Sequence, residues 1–335
     1  MPLITVKNLQ KSYRVHEKEP GLTGTVRSLF HRKFHEVHAV SDISFSIEPG
    51  ELIGFIGPNG AGKTTTLKCL SGLLHPTSGA IEVLGHTPFE RKPEFLSQIA
   101  LVMGQKNQLW WDLPPMETFL LNKEIYGISD DHFKSNLDDL TKLMKVVDLV
   151  NIPVRKLSLG ERMKCELIAA LLHSPKVLFL DEPTIGLDVV MQKAMRDFIA
   201  SYNQKYKATI ILTSHYMQDV KELCKRVIII DKGKLLYDGE LSEIVKKYAS
   251  HKLLTVTFGE FTDVRKLEGI GEIQSFNYPQ AIIRVPREKT GETAAKLLKK
   301  FSIEDLSIEE INIEDIIRKV FSKSTNKQST NHLIT

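Results

Sequence analysis

At 335 residues the chain exceeds what one ordinary hydrophobic core supports, so a large domain with a smaller companion is expected. Its 45 basic and 41 acidic residues leave a net charge of +4, too little for a nucleic-acid-binding field, and 42% hydrophobic content fits a globular protein. Three distant cysteines without a C-x-x-C pair (Cys69, Cys165, Cys224) argue against a disulfide framework or zinc site and for a reducing compartment; no signal pattern opens the chain, and no apolar run is long enough to span a bilayer.

Leu3 to Val6 alternates as a short strand. Tyr13 reads either as a half-buried strand aromatic or as a ring stacked on a nucleobase, and local pattern leaves both open. From Arg14 to about Val37 the text changes to a turn-rich insertion in which Val26, Leu29, Phe30 and Phe34 recur at helical spacing among basic residues. This predicts a short basic amphipathic helix that packs on its own domain or lies on a membrane or partner. His31, His35 and His38 lack the carboxylate or cysteine companion of a metal site.

Ala39 to Ile47 alternates as a strand, and Glu48-Pro49-Gly50-Glu51 turns into the apolar run Leu52 to Ile56. There follow Gly57-Pro58-Asn59-Gly60-Ala61-Gly62-Lys63-Thr64 and a helix-like stretch opening with Thr65: G-x-x-x-x-G-K-T between a strand and a helix. Glycines let consecutive backbone N–H groups converge on a phosphate, and the helix start adds its partial positive charge. Lys63 supplies a point charge to the outer phosphates, and the Thr64 hydroxyl a ligand for Mg²⁺. This stretch predicts binding of a nucleoside triphosphate.

Ala80 to Leu84 and Ile99 to Met103 read as strands, the second ending at Gly104-Gln105. Trp110 and Trp111 stand beside Pro114-Pro115; adjacent residues cannot both face one side of a strand, so a partner-docking loop and a core plug both remain open. Helices are expected over Met116–Tyr126 and Asp131–Val147, the second capped by Ser129. Leu157-Ser158-Leu159-Gly160-Glu161-Arg162 then leads into an apolar helix, Met163–His173, with Ser158 as a cap at the entry.

Val177 to Leu180 is a buried parallel strand delivering Asp181 and Glu182 at its C-terminal end, the edge where open α/β sheets hold ligands. Two successive carboxylates there point to Mg²⁺ handling plus a base for water. A helix from about Val190 to Tyr206 and a strand, Ala208 to Thr213, bring Ser214-His215 to the same edge, within reach of phosphate or water. A hairpin over Val227–Tyr237 and a helix over Glu240–Tyr248 close the large domain near residue 250. The remainder reads β-α-β-β-α-β, a small split-βαβ domain; Phe258 and Phe276 alone do not supply the aromatic strand signature of RNA-binding modules sharing that order. A final helix is expected over Ile313–Phe321, and a disordered tail over 322–335.

Over roughly residues 1 to 240 the chain resembles the ATP-binding subunits of ABC transporters. Gly57–Thr64 resembles their Walker A, Gln105 their Q-loop, Leu157-Ser158-Leu159-Gly160-Glu161 their signature and Asp181-Glu182 their Walker B with its catalytic glutamate. Gly186-Leu187-Asp188 resembles the D-loop, His215 the switch histidine and Tyr13 the adenine-stacking aromatic. The later domain and the early insertion resemble cassettes serving separately encoded export permeases of the drug-resistance type.

The resemblance implies an α/β P-loop NTPase core with an antiparallel β subdomain and a helical subdomain (about residues 88–165), spanning 1–250, plus a small α+β, ferredoxin-like domain over 251–321. It implies a motor at the cytoplasmic face of the membrane, peripheral through its permeases, in which two subunits, most simply a homodimer, sandwich ATP. Walker A and Lys63 of one subunit would hold the phosphates, while Ser158 and Gly160 of the other, in a signature closed by Glu161, donate to the γ-phosphate. Thr64, Asp181 and Gln105 would position Mg²⁺, Glu182 polarise the attacking water and His215 steady it, with Asp188 at the shared face. Gln105 and the tryptophans are the expected route to the permease. The family has glycine where this chain has Leu159 and glutamine where it has Glu161; the leucine is expected to alter the approach to the facing nucleotide, the carboxylate to add negative charge near it. A chromosome-type ATPase would need a long coiled coil between Walker A and signature, an ABC translation factor a second phosphate loop, and a small-molecule kinase neither signature nor switch histidine; no nucleic-acid partner is expected.

Overall fold

The computed structural model describes residues 1–16, 34–104, 108–248, 251–310, 314, 316 and 317. It divides into two compact units, 1–238 and 239–335. The division falls after Asp238, within the last strand of the larger sheet, and the helix Leu241–Tyr248 groups with the smaller unit. Most of the expected basic helix, most of the final helix, and all of the 322–335 tail lie outside the described residues.

A six-stranded sheet organises the larger unit, in the order β5 (Ile99–Met103), β6 (Val177–Asp181), β7 (Thr209–Thr213), β3 (Leu52–Ile56), β8 (Arg226–Asp231), β9 (Lys234–Glu240). The pairs β5–β6, β6–β7, β7–β3 and β3–β8 are parallel. Every residue of β6 and β7 is buried, which explains their unbroken apolar text: both faces of these central strands are covered. The register sets Met103 beside Asp181 and Asp181 beside Thr213, so three chain segments leave the sheet together at one edge.

A three-stranded antiparallel sheet, β2 (Phe34–Ile47), β1 (Ile4–His16) and β4 (Ser78–Val83), shares its core with the large sheet. Phe45 meets Phe55 with ring centroids 5.8 Å apart. Emptying the buried Phe179 site in this cluster by substitution with alanine would cost about 3–5 kcal/mol. The first strand runs well past Val6, because its register shifts after Val6, Leu9 and Lys11 absorb the polar residues that break the alternation. Asn8 and Asp42 adopt left-handed backbone there, and the Asn8 amide donates to Asp42 at 2.7 Å across the irregularity. Phe34, expected on a helix, instead opens β2 opposite His16. Arg226 fastens the two sheets: its guanidinium donates twice to Asp238, to Glu51 and to the Ser46 carbonyl.

Three longer helices, Pro115–Ile125, Asp130–Met144 and Leu159–Leu171, lie between β5 and β6 in the chain. The second is capped by Ser129, which accepts from the His132 N–H. The third begins at Leu159, not Met163: Ser158 is its N-cap and the signature residues make its first turn. The smaller unit carries a four-stranded antiparallel sheet in the order β11 (Glu272–Asn277), β12 (Gln280–Pro286), β10 (His251–Phe258), β13 (Ile303–Glu310), with the helix Thr290–Lys300 in its core. This is the split-βαβ arrangement; its first crossover is a short 3₁₀ turn, Val264–Leu267. Phe258 is buried in that core, and the half-buried Phe276 packs against it.

Candidate functional site

Strand β3 ends at Ile56, and the loop from Gly57 turns into the helix Lys63–Leu70 through Gly62, whose φ of 104° suits glycine. The loop is pinned from outside by the Gly233 N–H, which donates to the Ala61 carbonyl at 3.0 Å. Asn59 and Gly60 are exposed at its tip, Pro58 is half-buried, and Thr65 is half-buried on the first helical turn. Lys63 is buried, and its Nζ donates to the Gly57 carbonyl at 2.6 Å and to the Pro58 carbonyl at 3.1 Å. Burial pulls its amine below the ordinary lysine range, against the opposing charges of Glu182 and Asp181.

The two carboxylates lie across from this loop. Asp181 accepts from the Thr64 hydroxyl at 2.8 Å and from the Thr213 hydroxyl at 2.6 Å. Glu182 holds φ at 57°, and its N–H is shared between the carbonyl and hydroxyl of Thr213. A left-handed non-glycine backbone costs on the order of 1 kcal/mol, sustained here by the neighbouring strand. That conformation turns the Glu182 carboxylate to the His215 imidazole, with Nε2 and Oε1 2.6 Å apart. Gly104 closes the group from β5: a Cβ there would stand 2.2 Å from the Glu182 carbonyl oxygen, so only glycine allows the approach. Gln105 itself lies outside the described residues.

The remaining expected residues form a second group and an outlier. Ser158 and Glu161 close a capping box on each other: the Ser158 N–H and hydroxyl donate to Glu161 Oε2 at 2.9 and 2.8 Å, and the Glu161 N–H returns to the Ser158 hydroxyl. Those bonds hold the Glu161 carboxyl below the usual carboxylate range. Gly160 packs on Met191, and the exposed Leu159 side chain lies beside Gly186, whose missing Cβ leaves it room. Asp188 caps the helix Val189–Tyr206 by accepting from the Met191 N–H at 2.8 Å. Tyr13 is 37% exposed on β1, opposite Val37, with Lys11 Nζ 5.3 Å from its ring centre. Lys11 pairs with Val40 of β2, and it is β2 that lies against Gly62, so the exposed Tyr13 ring stands one strand removed from the phosphate loop.

Three parts of this architecture were not anticipated. Thr213 is the second partner of Asp181; its position at the C-terminal end of a core strand, before Ser214-His215, was the available signal. Glu166, buried on the Leu159–Leu171 helix, accepts from the backbone N–H groups of Gln108 and Leu109. Asp219, on the unexpected helix Met217–Leu223, is wholly buried and bonded to Thr184, Ser214 and Arg196. For Glu166 a carboxylate flanked by Cys165, Leu167 and Ile168 was the only trace, and for Asp219, among Gln218, Lys221 and Glu222, there was none.

Phosphate loop, paired carboxylates and histidine at one sheet edge suit the binding and hydrolysis of a nucleoside triphosphate, and comparison with known proteins agrees. Residues 40–185 match the ABC transporter family and residues 250–309 the C-terminal domain of EvrA-like ABC transporters. The chain is 35% identical over 224 residues to the ABC transporter ATP-binding protein NatA of Bacillus subtilis, covering 67% of this chain and 91% of that one. It belongs to the ATP-binding subunits of ABC transporters.

It is also 34% identical over 208 residues to the Nod factor export ATP-binding protein I of Burkholderia pseudomallei, covering 62% of this chain and 68% of that one. A solved dimeric ATP-binding cassette, in a post-hydrolysis state with ADP and Pi, shares the fold at a TM-score of 0.58 and 21% identity, over 71% of this chain and 98% of the other. The cassette is thus an ATP-binding ATPase of the transporter class. Among the described residues no helix is long and apolar enough to cross a membrane. The Thr64 hydroxyl and the Asp181 carboxylate, hard oxygen donors already in contact, fit the part-protein, part-phosphate shell that Mg²⁺ takes.

Proposed function

We propose that the cassette is one of two identical subunits that close on ATP and drive a separately encoded export permease at the cytoplasmic face of the membrane. The reading is carried by the convergence of Lys63, Thr64, Asp181, Glu182 and His215 at the ends of three neighbouring parallel strands. The Lys63 amine turns from the Gly57 and Pro58 carbonyls to the outer phosphates, and the Tyr13 ring stacks on the base. Thr64 and Asp181, with Gln105, hold Mg²⁺, which when bound neutralises charge on the phosphates. Glu182 accepts a proton from the attacking water, and His215 fixes the Glu182 carboxylate and the γ-phosphate around it.

Ser158 and Gly160 reach the phosphate from the second copy, with Asp188 at the shared face. Export follows the Nod factor export relative. A groove of about 990 Å³, lined by Arg91, Leu101, Met103, Gln108, Ile125 and Tyr126, would receive a cytoplasmic helix of the permease. Trp110 and Trp111, each 54% exposed, stand on the same helical subdomain, which favours docking over a core plug. The nucleic-acid alternative gains no support from the relatives.

The test is the full chain with Glu182→Gln, examined by size-exclusion chromatography with light scattering across ATP concentrations. A stable ATP-dependent dimer with little turnover is expected. A monomer at every ATP concentration overturns the sandwich.

A further inference from the structure

The Asp219 carboxylate is wholly shielded from solvent, and each bond it makes reaches a different segment of the cassette. Its Oδ2 accepts from the Thr184 hydroxyl at 2.5 Å and the Ser214 hydroxyl at 2.6 Å, and its Oδ1 from Arg196 Nη1 at 2.9 Å. Thr184 lies two residues beyond Glu182, Ser214 immediately precedes His215, and Arg196 sits on the helix that follows Gly186-Leu187-Asp188. Arg196 is itself buried and completes its shell with Glu222 at 3.0 Å. The Ser214 hydroxyl also accepts from the Tyr216 N–H at 3.0 Å, which closes the turn carrying His215.

We infer that Asp219 is a positioning residue that locks the loop after Glu182 to the loop of His215, so that the two side chains are presented to the γ-phosphate as one body. It touches neither nucleotide nor water. A charge with no solvent is costly unless its lone pairs are filled, so each hydroxyl is held firmly in a single orientation. Besides the lock, the β6–β7 pairing, the Glu182 N–H bonds to Thr213 and the 2.6 Å contact of Glu182 with His215 tie the two together, but none of these reaches the loop beyond Glu182 at Thr184. Hydrolysis is sensitive to such spacing, since displacements of about 1 Å cost up to ~100-fold in rate. Binding is expected to be insensitive, because Lys63 and the phosphate loop are held by other contacts.

The inference rests on the assignment of Glu182 and His215 to hydrolysis, and the experiment separates the two. Thr184→Val and Ser214→Ala each delete one link and leave the Arg196–Asp219 pair intact; Asp219→Asn offers an amide N–H to a donor. ATPase kinetics and thermal unfolding are measured on the full chain for these variants beside Glu182→Gln. The expected result for Thr184→Val and Ser214→Ala, assayed well below the melting temperature of each, is a kcat lower by about fivefold or more with KM for ATP within about twofold, beside a lower melting temperature from the bond withdrawn from the buried carboxylate. Asp219→Asn should lose more turnover. Arg196 keeps its Glu222 partner in that variant, so the buried guanidinium is not left without a counter-charge. If kcat follows stability throughout, or the two hydroxyl deletions leave kcat unchanged while Glu182→Gln abolishes it, the inference fails alone. If Glu182→Gln turns over normally, the assignment beneath it fails as well.

Discussion

The Ser158 hydroxyl donates to the Glu161 carboxylate across 2.8 Å, in the turn proposed to face the nucleotide of a second subunit. A serine engaged this way has its proton directed at its own helix. To donate to a phosphate it must first leave a carboxylate that stays ionised, since the Ser158 bonds lower its pKa. Glu161→Gln keeps the capping box, because glutamine also serves at that position, while removing the charge. The expected outcome is a fall of about threefold or more in the ATP concentration giving half-maximal dimerisation, in line with one unscreened charge at short range. The check is light scattering in the Glu182→Gln background; an unchanged or higher ATP requirement would sink the idea.

The tryptophan loop gives a prediction about coupling. Trp111 lies with its ring centre 5.9 Å from the Arg162 guanidinium, its carbonyl accepts from the Arg155 N–H, and Arg155 pairs with Asp112. The loop is thus held in shape from its backbone, while both indoles remain largely in solvent. Trp110→Ala with Trp111→Ala should leave nucleotide affinity within about twofold and abolish stimulation of the ATPase by the permease, as expected for exposed aromatic anchors. Loss of ATP binding in that variant would show instead that the indoles support the fold.

The phosphate loop, both carboxylates and His215 were legible because each is a short motif at the end of an apolar run. Parallel strand pairing then brings such ends to one edge without further information. The full extent of β1 was not legible, because Asn8 interrupts the alternation where its bonds to Asp42 and Ser44 hold the strand together, and the start of β2 at Phe34 was hidden in a stretch that reads as an insertion. Asp219 was hidden for a different reason. Its helix, Met217–Leu223, reads as a polar surface stretch, and only the tertiary meeting of Thr184, Ser214 and Arg196 makes a buried acid there affordable. Leu159, where the family has glycine, lies exposed beside Gly186, a contact the sequence did not reveal.

Glu166 supplies a pH dependence of stability. Burial raises its carboxyl above the ordinary 4.5, against the lowering influence of the Leu109 and Gln108 N–H groups and of Arg162. The native state therefore keeps this proton at pH values where the unfolded chain has released it, and stability falls as pH rises from 4.5 to the folded-state pKa. Glu166→Gln cannot titrate, so wild type should lose stability relative to it by up to about 1.4 kcal/mol per pH unit across that window, and by nothing further above it. Chemical unfolding followed by the fluorescence of Trp110 and Trp111, next along the chain from Leu109, measures the difference. A difference independent of pH would mean the carboxyl is already ionised throughout.

Lys63 gives the sharpest test of the phosphate loop itself. Its amine is buried against the Gly57 and Pro58 carbonyls, and that burial lowers its pKa more than Asp181 and Glu182 raise it. At alkaline pH the empty cassette therefore carries a fraction of neutral amine. A bound triphosphate adds several negative charges beside it, which favours the protonated form and draws a proton from solution. Calorimetric titration of the full chain with ATP at alkaline pH, in two buffers of different ionisation enthalpy, should show net proton uptake that shrinks as pH falls. Lys63→Arg, which keeps its charge throughout, should remove the buffer dependence while retaining measurable binding. Equal heats in both buffers for the wild type would mean that Lys63 does not meet the phosphates.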